Sequence, residues 1–539
     1  MIIKHEQLTS IFFVLIFFIS CQVEKKIDDN LIFRYNEHNN ISSLDPVFSN
    51  ALRNIWPVHQ IFNGLVQLDD SLKIKPDIAK YWNISDDGLD YNFTLKKNIY
   101  FHKSKVFTVD STRSVNAYDF EYSFSRVIDP KISSPGYWAM NNIESFKATN
   151  DSVFTIKLKN PFSAFLEMLT MKYFSVVPIE AVEFYGSKFG KNPIGTGPFK
   201  FKRWDENIKL VLRKNNNYHE LDNNGEKLPY LEAISITFLP EKKTEFLEFL
   251  QGKIDFINSI DPSFKDELLD INGNLNQKYS ESIKLISGPY LNTEYIGFFL
   301  GKNNLNTKSK KLRQAINYGI NKTKMIKYLR NNIGNPAHFG FIPIGLTSDS
   351  VEGFKYNMEK SKRLLEEYKQ ESGNNKIQLE LSTDANYLDI MEYIQRELLE
   401  LGIELKINIM PPSSLRQAKS NGKLEMFRAS WIADYPDSEN YLSLFYSKNK
   451  APNGPNYTHF INKEYDMLYL NSFKEKSKFK REKIYKQLDK MIIDEAPIIP
   501  LYYDQVMRFS KRNVKGLSSN PINQLNLKQV YKNRLFFKL

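Results

Sequence analysis

The chain reads as an α/β protein of two lobes with a cleft between them, and three stretches carry that expectation. In NKIQLELSTDANYLDIMEYIQRELLELGIELKINIM, Ile377, Leu379 and Leu381 alternate as in a strand. Leu388, Met391, Ile394, Leu398 and Leu401 then follow helical spacing, and Gly402 stands where a helix stops. Ile403, Leu405, Ile407 and Ile409 alternate again, which completes a β-α-β unit and calls for a parallel sheet. ISITFLPEKKTEFLEFLQGKIDFI repeats the pattern, with Gly252 closing the helix and a strand expected from Ile254 to Ile257. APIIPLYY, Ala496 to Tyr503, reads as a further buried strand, while Trp82 to Phe201 has more strand and turn character. Two α/β lobes around a cleft suit the capture of a small solute by hinge closure.

Bulk properties agree with this outline and exclude others. At 539 residues the chain is too long for one ordinary core, so two or three domains are expected. Composition is that of a folded protein, 42% hydrophobic and 14% aromatic. The net charge of +12 is spread along the chain and interleaved with acids. Its densest runs, Lys308 to Arg313 and Lys474 to Arg481, read as exposed helix faces, and no nucleic-acid-binding module accompanies them. No nucleic-acid partner is expected.

The amino terminus carries a short apolar run, Ile11 to Ile19, with the length of a signal-peptide core rather than of a span of about 20 residues. It ends at Ser20-Cys21, and Cys21 is the single cysteine, so no internal disulfide is possible. The expectation is a signal peptide over residues 1–20, lipidation of Cys21 and a polar tether over 21–30. The protein would then work outside the cytoplasm, held at a membrane on its periplasmic side or at the cell surface. No second apolar run of spanning length follows.

Catalytic patterns are missing. There is no G-x-S-x-G elbow and no H-E-x-x-H pair, and the seven histidines never fall at helix-face metal spacing. GTG at Gly195 to Gly197 lacks the lysine of a phosphate loop and precedes Pro198, so it reads as a turn. No enzyme, cofactor or metal is expected. FRASWIADYPDSENYLSLFYS, Phe427 to Ser447, stands out by placing Arg428, Trp431, Asp434 and Asp437 together. A surface strand running into a helix cap, a catalytic acid pair and one end of a ligand clamp are all compatible with it, with Asp437 or Ser438 as the cap.

Several ordered blocks bear on the choice. They are SLDPVFSNALRNIWPVHQIFNGLVQLD; DGLDYNFTLK followed by FH and AYDFEYSF; NPIGTGPFKFKRWDENIKLVLRKNNNYHE; LRQAINYGINKTKMI; the Phe427 to Ser447 segment; and DEAPIIPLYY. In these blocks the chain resembles, over nearly its whole mature length, the extracytoplasmic solute-binding proteins of the oligopeptide and dipeptide ABC transporter family. The resemblance implies a periplasmic-binding-protein-like fold with a hinge, plus an inserted smaller α+β domain. A first lobe would be discontinuous, residues 28–62, 196–288 and 501–539; the inserted domain would cover 63–195 and the opposite lobe 289–500. One departure is the longer loop KSKVFTVDSTRSV after Phe101 and His102.

For the site, the resemblance implies that Asp434 receives a ligand's α-ammonium group and that Arg428 meets the carboxylate terminus of short peptides. Main-chain groups around Ser430 and Ile432 would pair with the peptide as a strand does. Residue by residue, other readings stand beside these: Asp434 as a turn-former before Pro436, Arg428 as an exposed strand arginine or an inter-lobe ion-pair partner, and Trp431 as a packed cleft wall or a contact. A strand-like segment near Phe48 to Ala51 would contribute from the first lobe, with Asn50 where some members carry Glu. Tyr137 and Trp138 would either close over the ligand or belong to the inserted domain's core. The implied function is a monomeric, lipid-anchored receptor that captures oligopeptides and passes them to an ABC permease with its ATPase. A nickel chelate, haem, an oligosaccharide or a murein peptide as ligand, or a peptide-sensing surface lipoprotein without transport, stay open.

Overall fold

The computed structural model describes residues 28–108, 111–259, 264–301, 305–346 and 351–533. Cys21, the expected signal peptide and most of the tether lie outside the described residues. Among the described residues no helix is long and apolar enough to cross a membrane.

One twisted sheet of eleven strands runs through both lobes. At one end lie Ile403–Ile409, Ile377–Thr383 and Met426–Ile432. At the other lie Phe256–Asn258, Ile32–Asn36, Ala233–Thr237, Lys209–Lys214 and Phe199–Asp205. Two long antiparallel strands, Ile283–Phe298 and Ile498–Lys511, join the two ends and pair from Ile283 with Lys511 to Gly297 with Ile498. Their register slips between Pro289 and Thr293 and again between Glu294 and Tyr295. Such irregularities bend a strand and sharpen its twist, and here they fall within the two long connecting strands. APIIPLYY is therefore only the start of a strand that crosses between lobes.

The first β-α-β unit is present as read: Ile377–Thr383 pairs in parallel with Ile403–Ile409 across the helix Leu388–Leu399, and Gly402 takes a φ of +76°. In the second, the strand is Phe256–Asn258 rather than Ile254 to Ile257. Its partner strand is not Ala233–Thr237 directly, because Ile32–Asn36 inserts between them and pairs in parallel with both.

The smaller unit is a four-stranded antiparallel sheet, Ala79–Ile84, Asp90–Leu95, Val153–Leu158 and Ile143–Asn150 in spatial order. The helix Ala117–Ile128 covers it, started by a capping box between Asn116 and Asp119. From that helix Arg126 grips Asp45 with both terminal nitrogens, at 3.0 and 2.6 Å, and both side chains are buried. This pair docks the smaller unit on the segment that leads into Asn50.

Three readings change. Gly195 and Gly197 serve close packing: a Cβ on either would lie 2.1 to 2.5 Å from the Ile61 main chain. The two basic runs are not wholly exposed, since Arg313 and Arg481 are buried and Arg313 donates to the carbonyls of Thr307, Lys308, Glu495 and Ala496. Phe48 to Ala51 is not strand-like throughout, because Pro46–Phe48 is a 3-10 turn capped by Asp45, and Ala51 is the cap of the helix Leu52–Ile61.

Candidate ligand-binding site

A cavity of about 280 Å³ opens where three parts of the chain meet. Ser49, Asn50, Leu52, His59, Ile522 and Gln524 wall it on one side; Gln67 and Thr170 to Tyr173 on a second; Tyr290 and Ile432 to Asp434 on a third. Its volume is at the small end of the roughly 300–1,000 Å³ common for small-molecule sites. Asp434, Ile432 and Asn50, expected from sequence to share a site, are brought together here.

The local sequence explains how Asp434 is held. The strand Met426–Ile432 ends just before it, and the chain turns through Pro436 into the short helix Glu439–Leu442. Asn440, buried in that helix, accepts from the Trp431 indole N–H at 2.9 Å and from the Asp434 backbone N–H at 3.2 Å. Its side chain also hydrogen-bonds the Asp434 carboxylate. Of the two expected caps, Asp437 supplies the bond, accepting from the Glu439 N–H at 2.8 Å. Glu439 is buried in turn and accepts from the Tyr435 and Tyr469 hydroxyls. Asp434 is exposed to the water of the open cavity, with the cavity walls close around its carboxylate. Loss of hydration therefore pushes its carboxyl up to about 6. No ion-pair partner stands within reach of it among the described residues.

The main chain before Asp434 is paired on one side only. Ala433 N–H donates to Leu291 C=O at 2.9 Å. By antiparallel alternation Trp431 and Ala429 also bond toward the strand Ile283–Phe298, so the main-chain groups of Ser430 and Ile432 face the other way. On that side the neighbouring strand Ile377–Thr383 reaches only Met426 and Phe427. The edge beyond is open to an added strand.

Arg428 lies elsewhere. It does not line this cavity; it lies in the wall of the opposite lobe, 2.6 Å from buried Glu294 and 3.6 Å from Asp384, with its guanidinium 3.3 Å from the Tyr387 ring centre. Arg330 and Asp504 pair beside it at 2.9 Å. Two carboxylates therefore stand on Arg428, as in the ion-pair alternative, while its buried Nε has no hydrogen-bond partner among the described residues. Trp431 is half-buried in the wall and supports Asn440 without lining the cavity. Tyr137 and Trp138 are exposed, at 55% and 42%, so they are not the inserted unit's core. Gly136, just before them, packs on the ring of Tyr173, a cavity residue, which seats the pair at the cavity's flank.

Sequence reading missed Lys172, Tyr173, His59, Tyr290 and Asn440. Lys172 had a visible signal, since one lysine inside the apolar run LTMKYFSVVP is costly unless something needs it.

Against known proteins, the profile described as "Bacterial extracellular solute-binding proteins, family 5 Middle" matches residues 73–453. The "Dipeptide-binding protein DppE" of Bacillus subtilis (strain 168) is 26% identical over 94% of this chain and 93% of its own length. The "Glutathione-binding protein GsiB" of Escherichia coli O1:K1 / APEC is 26% identical over 88% of this chain and 90% of its own. Among solved structures, the periplasmic binding protein DppA from Helicobacter pylori, in complex with peptide STSA, superposes with a TM-score of 0.77 at 25% identity. It covers 93% of this chain and 98% of its own.

Proposed function

This chain belongs to the family 5 bacterial extracellular solute-binding proteins, extracytoplasmic binding proteins rather than enzymes, and on that premise we propose that it captures peptides with a free amino terminus for an ABC importer. The observation that carries this reading is Asp434, a carboxylate without an ion-pair partner among the described residues, placed in an interlobe cavity beside the open strand edge of Ser430 and Ile432. All peptides share an α-ammonium group and a main chain, so fixing those two reads peptides as a class. A carboxylate–ammonium contact away from bulk water is a charge-assisted hydrogen bond, and cavity waters let the remaining side chains vary. The dipeptide-binding, glutathione-binding and peptide-bound relatives support it.

In this reading the lobes are residues 28–62, 196–288 and 501–539 against 289–500, with 63–195 inserted. The limits at 288/289 and 500/501 fall inside the two long connecting strands, which act as the hinge. Closure around the ligand makes the form that engages the permease. Cys21 carries the lipid that holds this monomeric receptor at the membrane. Metabolic labelling with a palmitate analogue tests this, with the label expected on the intact chain and absent from Cys21→Ala.

The function is tested by native mass spectrometry of residues 22–539 purified without denaturation, with the released ligands identified. A family of peptides with unblocked amino termini is the expected result. A single non-peptide compound, a sugar or a bound metal overturns the substrate while keeping the fold.

A further inference from the structure

Lys172 stands in the wall of the same cavity, and its ammonium group has no hydrogen-bond or ion-pair partner among the described residues. Its residue is only 8% exposed. It opens the 3-10 turn Lys172–Phe174, which packs on the turn Pro46–Phe48 and on the helix Leu52–Ile61. Burial lowers its ammonium to about 8, with Lys528 adding to the effect and Asp77 opposing it. Neither neighbour pairs with it: Lys528 carries the same charge, and no ion pair joins Asp77 to Lys172 among the described residues. Lys528 is paired with Glu220 at 2.5 Å, and Asp77 accepts from Asn63 at 2.9 Å and from the Gly64 N–H at 3.1 Å. An unpaired buried cation costs several kcal/mol, and folding leaves this one in the wall of the cavity.

Two further polar groups share that wall. Ser49 Oγ is buried and without a hydrogen-bond partner. His59 is held neutral by burial and by the nearby charges of Lys172 and Lys528. Its Nδ1 lies 3.1 Å from the Gln524 amide nitrogen, which donates to it, so the proton sits on Nε2 and makes that atom a donor. An ammonium, a hydroxyl and an imidazole N–H are a donor set for an anion. Asp434 lines the same cavity, and no ion pair joins it to Lys172 among the described residues.

We propose that Lys172 binds a carboxylate of the ligand while Asp434 binds its amine, so that the cavity selects short zwitterionic peptides, dipeptides above all. This rests on the peptide-receptor reading and narrows it. The role expected of Arg428 passes to a lysine of the inserted unit, and the volume of about 280 Å³ leaves little space for a longer chain.

The test uses residues 22–539, wild type and Lys172→Met, each offered equimolar dipeptide mixtures with free, amidated or N-acetylated ends, with retained species counted by mass spectrometry. Wild type is expected to retain free dipeptides about 10- to 100-fold better than their amides. Lys172→Met is expected to erase that preference to within about twofold, keep its discrimination against N-acetylation, and unfold no earlier than wild type. The retained N-terminal discrimination shows that the site is still formed. If wild type retains amidated dipeptides only when they carry Asp or Glu, and Lys172→Met does not, the carboxylate comes from a side chain and Lys172 still binds it. Lys172→Met keeping the preference for free over amidated ends overturns the assignment. Retention of tetrapeptides but of no dipeptide overturns the short-ligand selection alone. Retention of no peptide of any length overturns the receptor reading beneath both.

Discussion

Two charged regions flank the cleft and follow opposite rules. Around Arg428, the charges answer one another within the chain: Glu294 and Asp384 on Arg428, Asp504 on Arg330, with Tyr387 stacked on one guanidinium and Tyr502 under the other. Around the cavity, Asp434 and Lys172 have no such partners among the described residues, and loss of hydration pushes each toward its neutral form. A paired buried charge fixes the shape of a wall, because removing either member strands the other. An unpaired one is satisfied by what arrives. The comparison assigns Arg428 to architecture and Asp434 to recognition, although they sit on the same strand-and-turn segment.

The largest expected effect breaks the recognition side. Asp434→Asn should weaken binding of a free-amine peptide by roughly 30- to several-thousand-fold. An N-acetylated peptide, which has no ammonium group to lose, should be hardly affected, and thermal unfolding should be no earlier. Titration calorimetry with both ligands decides it. Equal losses for the two ligands would take Asp434 out of the amine site.

On the architectural side, Arg428→Ala leaves Glu294 buried, with Asn292 as its remaining hydrogen-bond partner among the described residues. Equilibrium unfolding in urea should show a loss of about 3–5 kcal/mol, with the ratio of free to amidated peptide affinity unchanged. A variant of full stability that no longer distinguishes the two ends would reverse the comparison and return Arg428 to the ligand.

The difference between these regions also measures what the sequence could disclose. Period-2 and period-3.6 patterns made the Ile377 to Ile409 unit legible, because both are local properties of the chain. The insertion of Ile32–Asn36 between Ala233–Thr237 and Phe256–Asn258 was not, since it joins residues some 200 positions apart. Asp434 was legible from its motif, and Asn440 follows it by six residues without any regular periodicity to mark it. Arg428 looked free because its partner Glu294 lies 134 residues upstream. Lys172 became a site residue only when three separate stretches closed a cavity around it.

Proton binding sharpens the recognition side at smaller amplitude. Only the ionised Asp434 attracts an ammonium, and in the free protein its carboxyl titrates near 6. Affinity for a free-amine peptide should therefore hold from about pH 6 to the α-amine's own range near 8, and fall by up to tenfold per unit below 6. Stability of the unliganded protein moves the other way. The unfolded aspartate ionises near 3.8, so between about 4 and 6 the folded state holds a proton the unfolded state has released, and Asp434 lowers stability as pH rises through that window. Asp434→Asn should flatten both dependences, read by calorimetry and by melting curves in the same buffers. An acid limb of binding that survives in this variant belongs to another group.

The smallest effect concerns Asn50, across the cavity from the clamp strand. Its side chain is exposed, makes no hydrogen bond among the described residues and carries no charge. It can therefore give a ligand at most a neutral hydrogen bond, worth about 0.5–1.5 kcal/mol net. Asn50→Ala should reduce affinity by roughly two- to tenfold, equally for free and N-acetylated peptides, and leave unfolding unchanged, because nothing in the fold leans on it. Unequal losses would mean that Asn50 helps to hold the amine, and a loss beyond a hundredfold would move the main contact from Asp434 to the first lobe. The expected small and even loss follows from its chemistry: a neutral, unpaired amide shapes the cavity beside the two charges without choosing between ligand ends.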